Sequence, residues 1–160
     1  YIAGGAGEST AEYFDVNTQR WNQINSMGTK RSGAAAVSFG NSIIVMGGYK
    51  LSSAEQYNTT TGKWSAFPSM KEARCGCAAA VLNGRIIVVG GWNLNAGILS
   101  SAEEYDPTTR VWSSIPSMHT KRYLCAAAVL DGLLYAVGGY DGNERLSSAE
   151  VYNPTTRCWS

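Results

Sequence analysis

The chain has 160 residues, with 13 basic and 12 acidic side chains and a formal net charge of +1, so it carries no electrostatic footprint for nucleic acid or an acidic membrane surface. No apolar run reaches the roughly 18 residues that a membrane span needs. Four cysteines in a chain of this length do not suggest a disulfide scaffold and favour a reducing, intracellular setting.

In chain order the first recognisable element is the Gly4-Gly5 doublet, followed by an Ala-Glu pair at 11 and 12 that stands ten residues before Trp21. The same series recurs three times. Ala54-Glu55 leads to Trp64, Ala102-Glu103 to Trp112 and Ala149-Glu150 to Trp159, behind doublets at Gly47-Gly48, Gly90-Gly91 and Gly138-Gly139. The interval from each Trp to the next doublet never changes (Trp21 to Gly47, Trp64 to Gly90, Trp112 to Gly138), so length varies only between doublet and Ala-Glu. A fixed internal period of this kind is the mark of a repeat architecture.

Each fixed interval holds a small-residue run, a two-residue turn and a β-branched run. In the third copy these are "CAAAVL", Asn83-Gly84 and "RIIVV"; in the fourth, "CAAAVL", Asp131-Gly132 and "LLYAV". Asn-Gly and Asp-Gly between apolar runs predict tight hairpins, because both central residues of a type I′ turn need positive φ. The second copy inverts the order, with Gly40-Asn41. After the doublet, "SAEEYD", the turn "PTT" and a short run around Trp predict two more strands. The reading is all-β, with four antiparallel strands per unit, A to D. Units span 28–70, 71–118 and 119–160, and a three-stranded unit lacking strand A spans 1–27.

One such meander has two apolar faces and cannot bury both alone. Stacking units face to face around an axis solves this, and the period suits a β-propeller. Strand A, nearly all Ala, then belongs at the crowded hub. Phe14, Tyr57, Tyr105 and Tyr152, each seven residues before its Trp, belong in the wider wedge between blades.

Gly-Gly after a β-branched strand, Glu-x-Tyr and then Trp, with Met27, Met70 and Met118 six residues past a Trp and Arg31, Arg74 and Arg122 four further on, resembles the kelch repeat. The likeness covers essentially the whole chain and is nearest to the propellers that follow a BTB and BACK region in substrate adaptors of cullin ubiquitin ligases. It implies a ring of six or seven blades, so the chain is expected to be a segment of a longer propeller, with self-assembly of copies as the alternative. It also implies that Arg at the D-to-A crossover lines a central pocket and binds carboxylates, for which a planar guanidinium is suited. The opposing reading is that an Arg repeated in every unit braces a turn carbonyl.

Tyr49, Trp92 and Tyr140 directly follow three doublets and open the variable B-to-C loop; Ala6 holds that place in the first copy. Rings beside Arg make an amphipathic contact surface, although they also suit blade caps. Ser53, Ser101 and Ser148 precede Ala-Glu, where hydroxyls can bond a peptide backbone or simply start a strand. Glu12, Glu55, Glu103 and Glu150 are read as hydrogen-bonded structural groups, because they recur at one place inside strand C. Cys75 and Cys77 form Cys-x-Cys, but Cys77 shares its repeat position with Cys125 and Ala34, a slot for a small apolar residue. No zinc set assembles around His119, the single histidine, and no metal or cofactor is expected.

The expected function is a non-catalytic protein-interaction module that grips a peptide on its loop face, with three inward Arg favouring an acidic one. Joined to a BTB region it would select substrates for ubiquitination through cullin-ligase components. The alternative is a structural role, binding or cross-linking actin in a cytoskeletal setting. An enzyme is the weaker option, because chemistry occurs once per ring and no cluster of acids, His or Tyr breaks the repeat.

Overall fold

The structure, a computed structural model, describes residues 1–5 and 7–160, so Ala6 lies outside the described residues. All regular structure among them is β, in antiparallel sheets. Among the described residues no helix is long and apolar enough to cross a membrane. Blade 1 has three strands, β1 (Ile2–Gly5), β2 (Glu8–Asp15) and β3 (Arg20–Ile24). Blade 2 is the meander β4 (Ala35–Phe39), β5 (Ser42–Met46), β6 (Ala54–Asn58) and β7 (Lys63–Phe67).

Blade 3 starts with β8 (Ala78–Leu82) and β9 (Arg85–Val89) and ends with β12 (Ala102–Asp106) and β13 (Val111–Ile115); between these pairs β10 (Trp92–Asn93) and β11 (Gly97–Ile98) form a separate small hairpin. Blade 4 is β14 (Ala126–Leu130), β15 (Leu133–Val137), β16 (Ala149–Asn153) and β17 (Cys158–Trp159). The four-strand unit and the three-stranded first blade agree with the repeat pattern. The β10–β11 hairpin does not, since that stretch reads as plain loop.

Local chemistry explains the strand boundaries. Asn83 and Gly84 have φ of 49° and 74°, and Asp131 and Gly132 have 50° and 73°, the two positive angles that a type I′ turn requires. At the inverted pair Gly40 takes the positive angle, 55°, as in a turn with Gly in first place. At each C-to-D turn an Asx side chain accepts the amides two and three residues on, as Asp106 does from Thr108 (2.8 Å) and Thr109 (3.4 Å). Asn58 does the same with Thr60 and Thr61.

The core lies between blades. Ile86 and Val88 of β9 face Ile44, Met46 and Val37 of blade 2, whereas Ile87 and Val89 face Leu134, Ala136 and Trp159 of blade 4. A strand buried on both faces needs a continuous apolar run, hence "RIIVV". Inner strand β8 contacts both β4 and β14, and Ala is small enough for that convergence. In every blade the aromatic of strand C packs on the Trp of strand D, with centroids 5.4, 5.2, 5.4 and 5.2 Å apart. Three indole N–H groups reach back to the previous blade: Trp64 to Asn25 O, Trp112 to Pro68 O and Trp159 to Pro116 O. The outward faces of the two end blades are uncovered, leaving Phe14, Trp21, Leu130 and Val137 exposed.

The doublets set how blades meet. The carbonyl of Arg74 accepts the amide of Gly48 at 2.8 Å, and that of Arg122 the amide of Gly91 at 2.8 Å. A Cβ on Gly47 would stand 2.4 Å from Arg74 O, and one on Gly90 would stand 2.3 Å from Arg122 O. Gly is therefore imposed by the next crossover docking against the doublet.

Candidate functional site

The three crossover arginines do not line the groove on the loop face. Arg31, Arg74 and Arg122 are 0%, 1% and 0% exposed, and their guanidinium groups bond inside the blade that follows. Arg74 Nη1 donates to Gly90 O and Ser101 O, both at 2.9 Å, Nη2 to Ser101 Oγ at 2.9 Å, and Nε to Glu103 Oε1 at 3.1 Å. Arg122 repeats this with Gly138 O, Ser148 O, Ser148 Oγ and Glu150. Arg31 does so with Gly47 O, Ser53 O, Ser53 Oγ and Glu55.

Each Arg thus joins two blades, its backbone carbonyl on one doublet and its side chain on the next. Of the two readings of these residues, the brace fits, and it takes Ser53, Ser101 and Ser148 with it, because their hydroxyls and carbonyls accept from the guanidinium. The glutamates close the same clamp: Glu55 accepts the amides of Gly28 and Thr29, Glu103 those of Lys71 and Glu72, and Glu150 those of His119 and Thr120. Burial pushes the Glu150 carboxyl up, but these amides, the His119 ring and Arg122 outweigh it and hold it below the usual carboxylate range.

The aromatic residues are placed differently. Tyr49 is 52% and Tyr140 38% exposed, and Trp92 is half-buried. Each is fastened to the residue after a clamp Arg. Tyr49 N donates to Ser32 O at 2.9 Å; Trp92 and Cys75 exchange backbone bonds of 2.8 and 3.0 Å, as Tyr140 and Tyr123 do at 2.8 and 2.9 Å. The Tyr49 and Trp92 rings stack with centroids 5.9 Å apart and planes 8° apart, and Lys50 Nζ lies 5.2 Å from the Tyr49 centroid. Beside them opens a groove of about 400 Å³ lined by Gly7, Ser32, Gly33, Tyr49, Cys75 and Tyr123.

A belt of backbone bonds holds its floor, Gly76 N to Gly33 O (2.7 Å) and Leu124 N to Gly76 O (2.8 Å). These three residues adopt φ of 69°, 61° and 56°. Ser32 and Tyr123 are groove residues that the sequence did not single out, and Cys75, read there only as half of Cys-x-Cys, joins them. The available signal was variability: they directly follow the invariant Arg, yet differ in every copy.

Among the described residues no group of three or more His, Cys, Asp or Glu is gathered as a metal-ligand set. Cys75 and Cys77 are both free and buried, and burial pushes the Cys77 thiol up to about 12, as suits a small core residue.

Residues 1–160 match the family described as the KLHDC2/KLHL20/DRC7 Kelch-repeats domain. No curated protein matches the chain. Among solved structures, that of YjhT superposes with a TM-score of 0.80 over 95% of this chain at 15% identity. The chain spans about half the length of that protein, 51%. Blade order, clamp and family match agree: the chain belongs to the kelch-repeat family of β-propeller domains.

Proposed function

We propose that the protein is a non-catalytic interaction module whose loop face grips a short segment of a partner protein. One observation carries this reading: the stack of exposed Tyr49 on half-buried Trp92, with Lys50 at its edge, borders a groove on a backbone that paired bonds hold rigid. Rigid aromatic rings give large contact area at low entropic cost. With the three guanidinium groups held inside the blades, the groove offers no arginine to an acidic partner, and a segment with an apolar or planar side chain to lie on the rings fits better. The carboxylates of Glu55, Glu103 and Glu150 are engaged in the clamps, which supports a non-catalytic role. Substrate selection for a cullin ubiquitin ligase is the biological setting that the family resemblance favours, in a cytoplasmic location.

A peptide-array screen followed by titration of the best peptide tests the reading. Trp92→Ala should weaken binding about tenfold or more, in the range of a hot-spot residue, with thermal stability close to that of the parent. Unchanged affinity in both Trp92→Ala and Tyr49→Ala would remove the loop-face site. Filament co-sedimentation insensitive to both substitutions would favour the cytoskeletal role instead.

A further inference from the structure

The A-to-B turns of the three complete blades lie at the end of the propeller opposite the loop face, and they differ in chemistry. They read Gly40-Asn41, Asn83-Gly84 and Asp131-Gly132. The middle one places an asparagine carboxamide directly before a glycine amide, and no other Asn-Gly pair occurs in the chain. Glycine carries no side chain to crowd the approach of its own nitrogen to a neighbouring carbonyl carbon.

The fold leaves both reacting groups free. Asn83 and Gly84 are exposed, and the ladder between β8 and β9 closes on Leu82 and Arg85, so that among the described residues the Gly84 amide has no hydrogen-bond partner. A Cβ on Gly84 would meet nothing within 4 Å, which leaves room for a ring at this tip. The Asn83 carboxamide is also unheld among the described residues. By contrast, Asn58, Asn93 and Asn153 each accept two backbone amides through Oδ1.

We propose that Asn83 is a self-modification site, which deamidates through a cyclic imide to aspartate and isoaspartate. The Gly84 nitrogen attacks Asn83 Cγ: the N–Cγ bond forms, the Cγ–Nδ2 bond breaks, and the Gly84 amide proton leaves with the side-chain nitrogen as ammonia. Water then opens the imide, at Cγ to give aspartate or at the main-chain carbonyl carbon to give isoaspartate, with no change of oxidation state. Asn83 and Gly84 must leave their turn angles of 49° and 74° for the attack, so opening of the hairpin tip paces the reaction. The fold already holds the aspartate product one blade on, where Asp131 and Gly132 make the same turn with φ of 50° and 73°. At blade 3 the new carboxylate enters a groove of about 260 Å³ shared with Arg85, Glu104 and Arg157. Glu104 and Asp106 already engage Arg85, and Arg157 has no ion pair among the described residues, so it is the cation free to meet the added charge. Isoaspartate instead lengthens the backbone of a two-residue turn and disturbs the Leu82–Arg85 register. The site lies away from the Tyr49–Trp92 stack and does not rest on the loop-face reading.

The experiment incubates the folded protein in mildly alkaline buffer made with heavy-oxygen water and follows each asparagine by peptide mass spectrometry, with electron-transfer fragmentation to tell aspartate from isoaspartate. Asn83 should convert first, take up one heavy oxygen and yield both products. Asn58 and Asn153 must release two hydrogen bonds before they can react and should be at least about tenfold slower. On native isoelectric focusing the aged protein should gain a more acidic band that coincides with Asn83→Asp, and Asn83→Gln should gain none. Asn83→Asp should keep the urea midpoint of the parent. Conversion of Asn83 no faster than that of Asn58 and Asn153, conversion without heavy-oxygen uptake, or a lowered midpoint in Asn83→Asp would overturn the proposal.

Discussion

Arg74 Nε donates to Glu103 Oε1 at 3.1 Å, and with 1% and 2% of their side chains exposed the two form a charge pair cut off from water. The pair matters because Arg74 also holds Gly48 N through its own carbonyl, so one residue fastens blade 2 to blade 3. Arg74→Ala leaves the Glu103 carboxylate buried without its cation and should cost roughly 3–5 kcal/mol, read as a lower midpoint in urea unfolding. Arg74→Lys should recover only part of that loss, since an ammonium cannot span the positions of Nε, Nη1 and Nη2 at once. A midpoint unchanged in Arg74→Ala would mean that the arginine faces solvent after all.

Acid should loosen the clamps through Glu150. Its carboxyl is held below the usual carboxylate range in the folded protein, since the amides and Arg122 outweigh the effect of burial. A group with a depressed folded pKa lends stability that is fully present above its unfolded value, near 4.3, and is lost as pH falls through the folded value. Urea midpoints should therefore stay level as pH drops toward 5 and then fall, and Glu150→Gln should flatten that acid limb. An unaltered limb in Glu150→Gln would assign the acid sensitivity to other carboxylates.

Strands were legible because their determinants are local. "RIIVV" between Asn83-Gly84 and a glycine doublet leaves little choice but a buried strand, and φ at Asn83 follows from the turn alone. The arginines were not legible in the same way. Spacing places Arg74 on a crossover but does not say whether the side chain turns outward to a ligand or inward to Ser101 and Glu103, since that depends on how two blades meet. The hint lay in the co-occurrence of Arg and Glu in each complete junction, which a pairing argument would have joined. The β10–β11 hairpin escaped for a different reason. Its turn is made by Asn93 Oδ1 accepting the amides of Asn95 and Ala96, a side-chain device without the Asn-Gly dipeptide that marks other hairpins.

Two glycines in the same region should respond differently to alanine. Gly47 has φ of 72° and a would-be Cβ only 2.4 Å from the Arg74 carbonyl oxygen, whereas Gly84 has φ of 74° and open space around it. Gly84→Ala bears the left-handed conformation alone, about 1–2 kcal/mol. Gly47→Ala bears that and must also push the crossover off the doublet, so it should lose at least about 1 kcal/mol more, in keeping with other strained or overpacked sites. Equal losses by chemical denaturation would mean that the doublet is a local turn requirement and not the seat of the next blade.

Thiol reactivity gives a test of the hub that needs no substitution. The thiolate is the reactive form, so both exposure and thiol pKa set the order of alkylation. Cys158 is exposed. Cys77 lies in the core between blades 2 and 3, and burial pushes its thiol up to about 12. Burial also raises the thiols of Cys75 and Cys125. Iodoacetamide at mildly alkaline pH should therefore label Cys158 first and Cys77 last, as read by peptide mass spectrometry over time. Labelling of Cys77 requires the inner strands to separate, so its rate should rise with urea before global unfolding if blades 2 and 3 open as a unit. Cys75 lines the loop-face groove and its backbone is paired with Trp92, so a peptide bound there should slow Cys75 while leaving Cys158 unaffected. Cys77 labelled as fast as Cys158 in native buffer would show that the alanine-rich inner strands are not packed around a common axis.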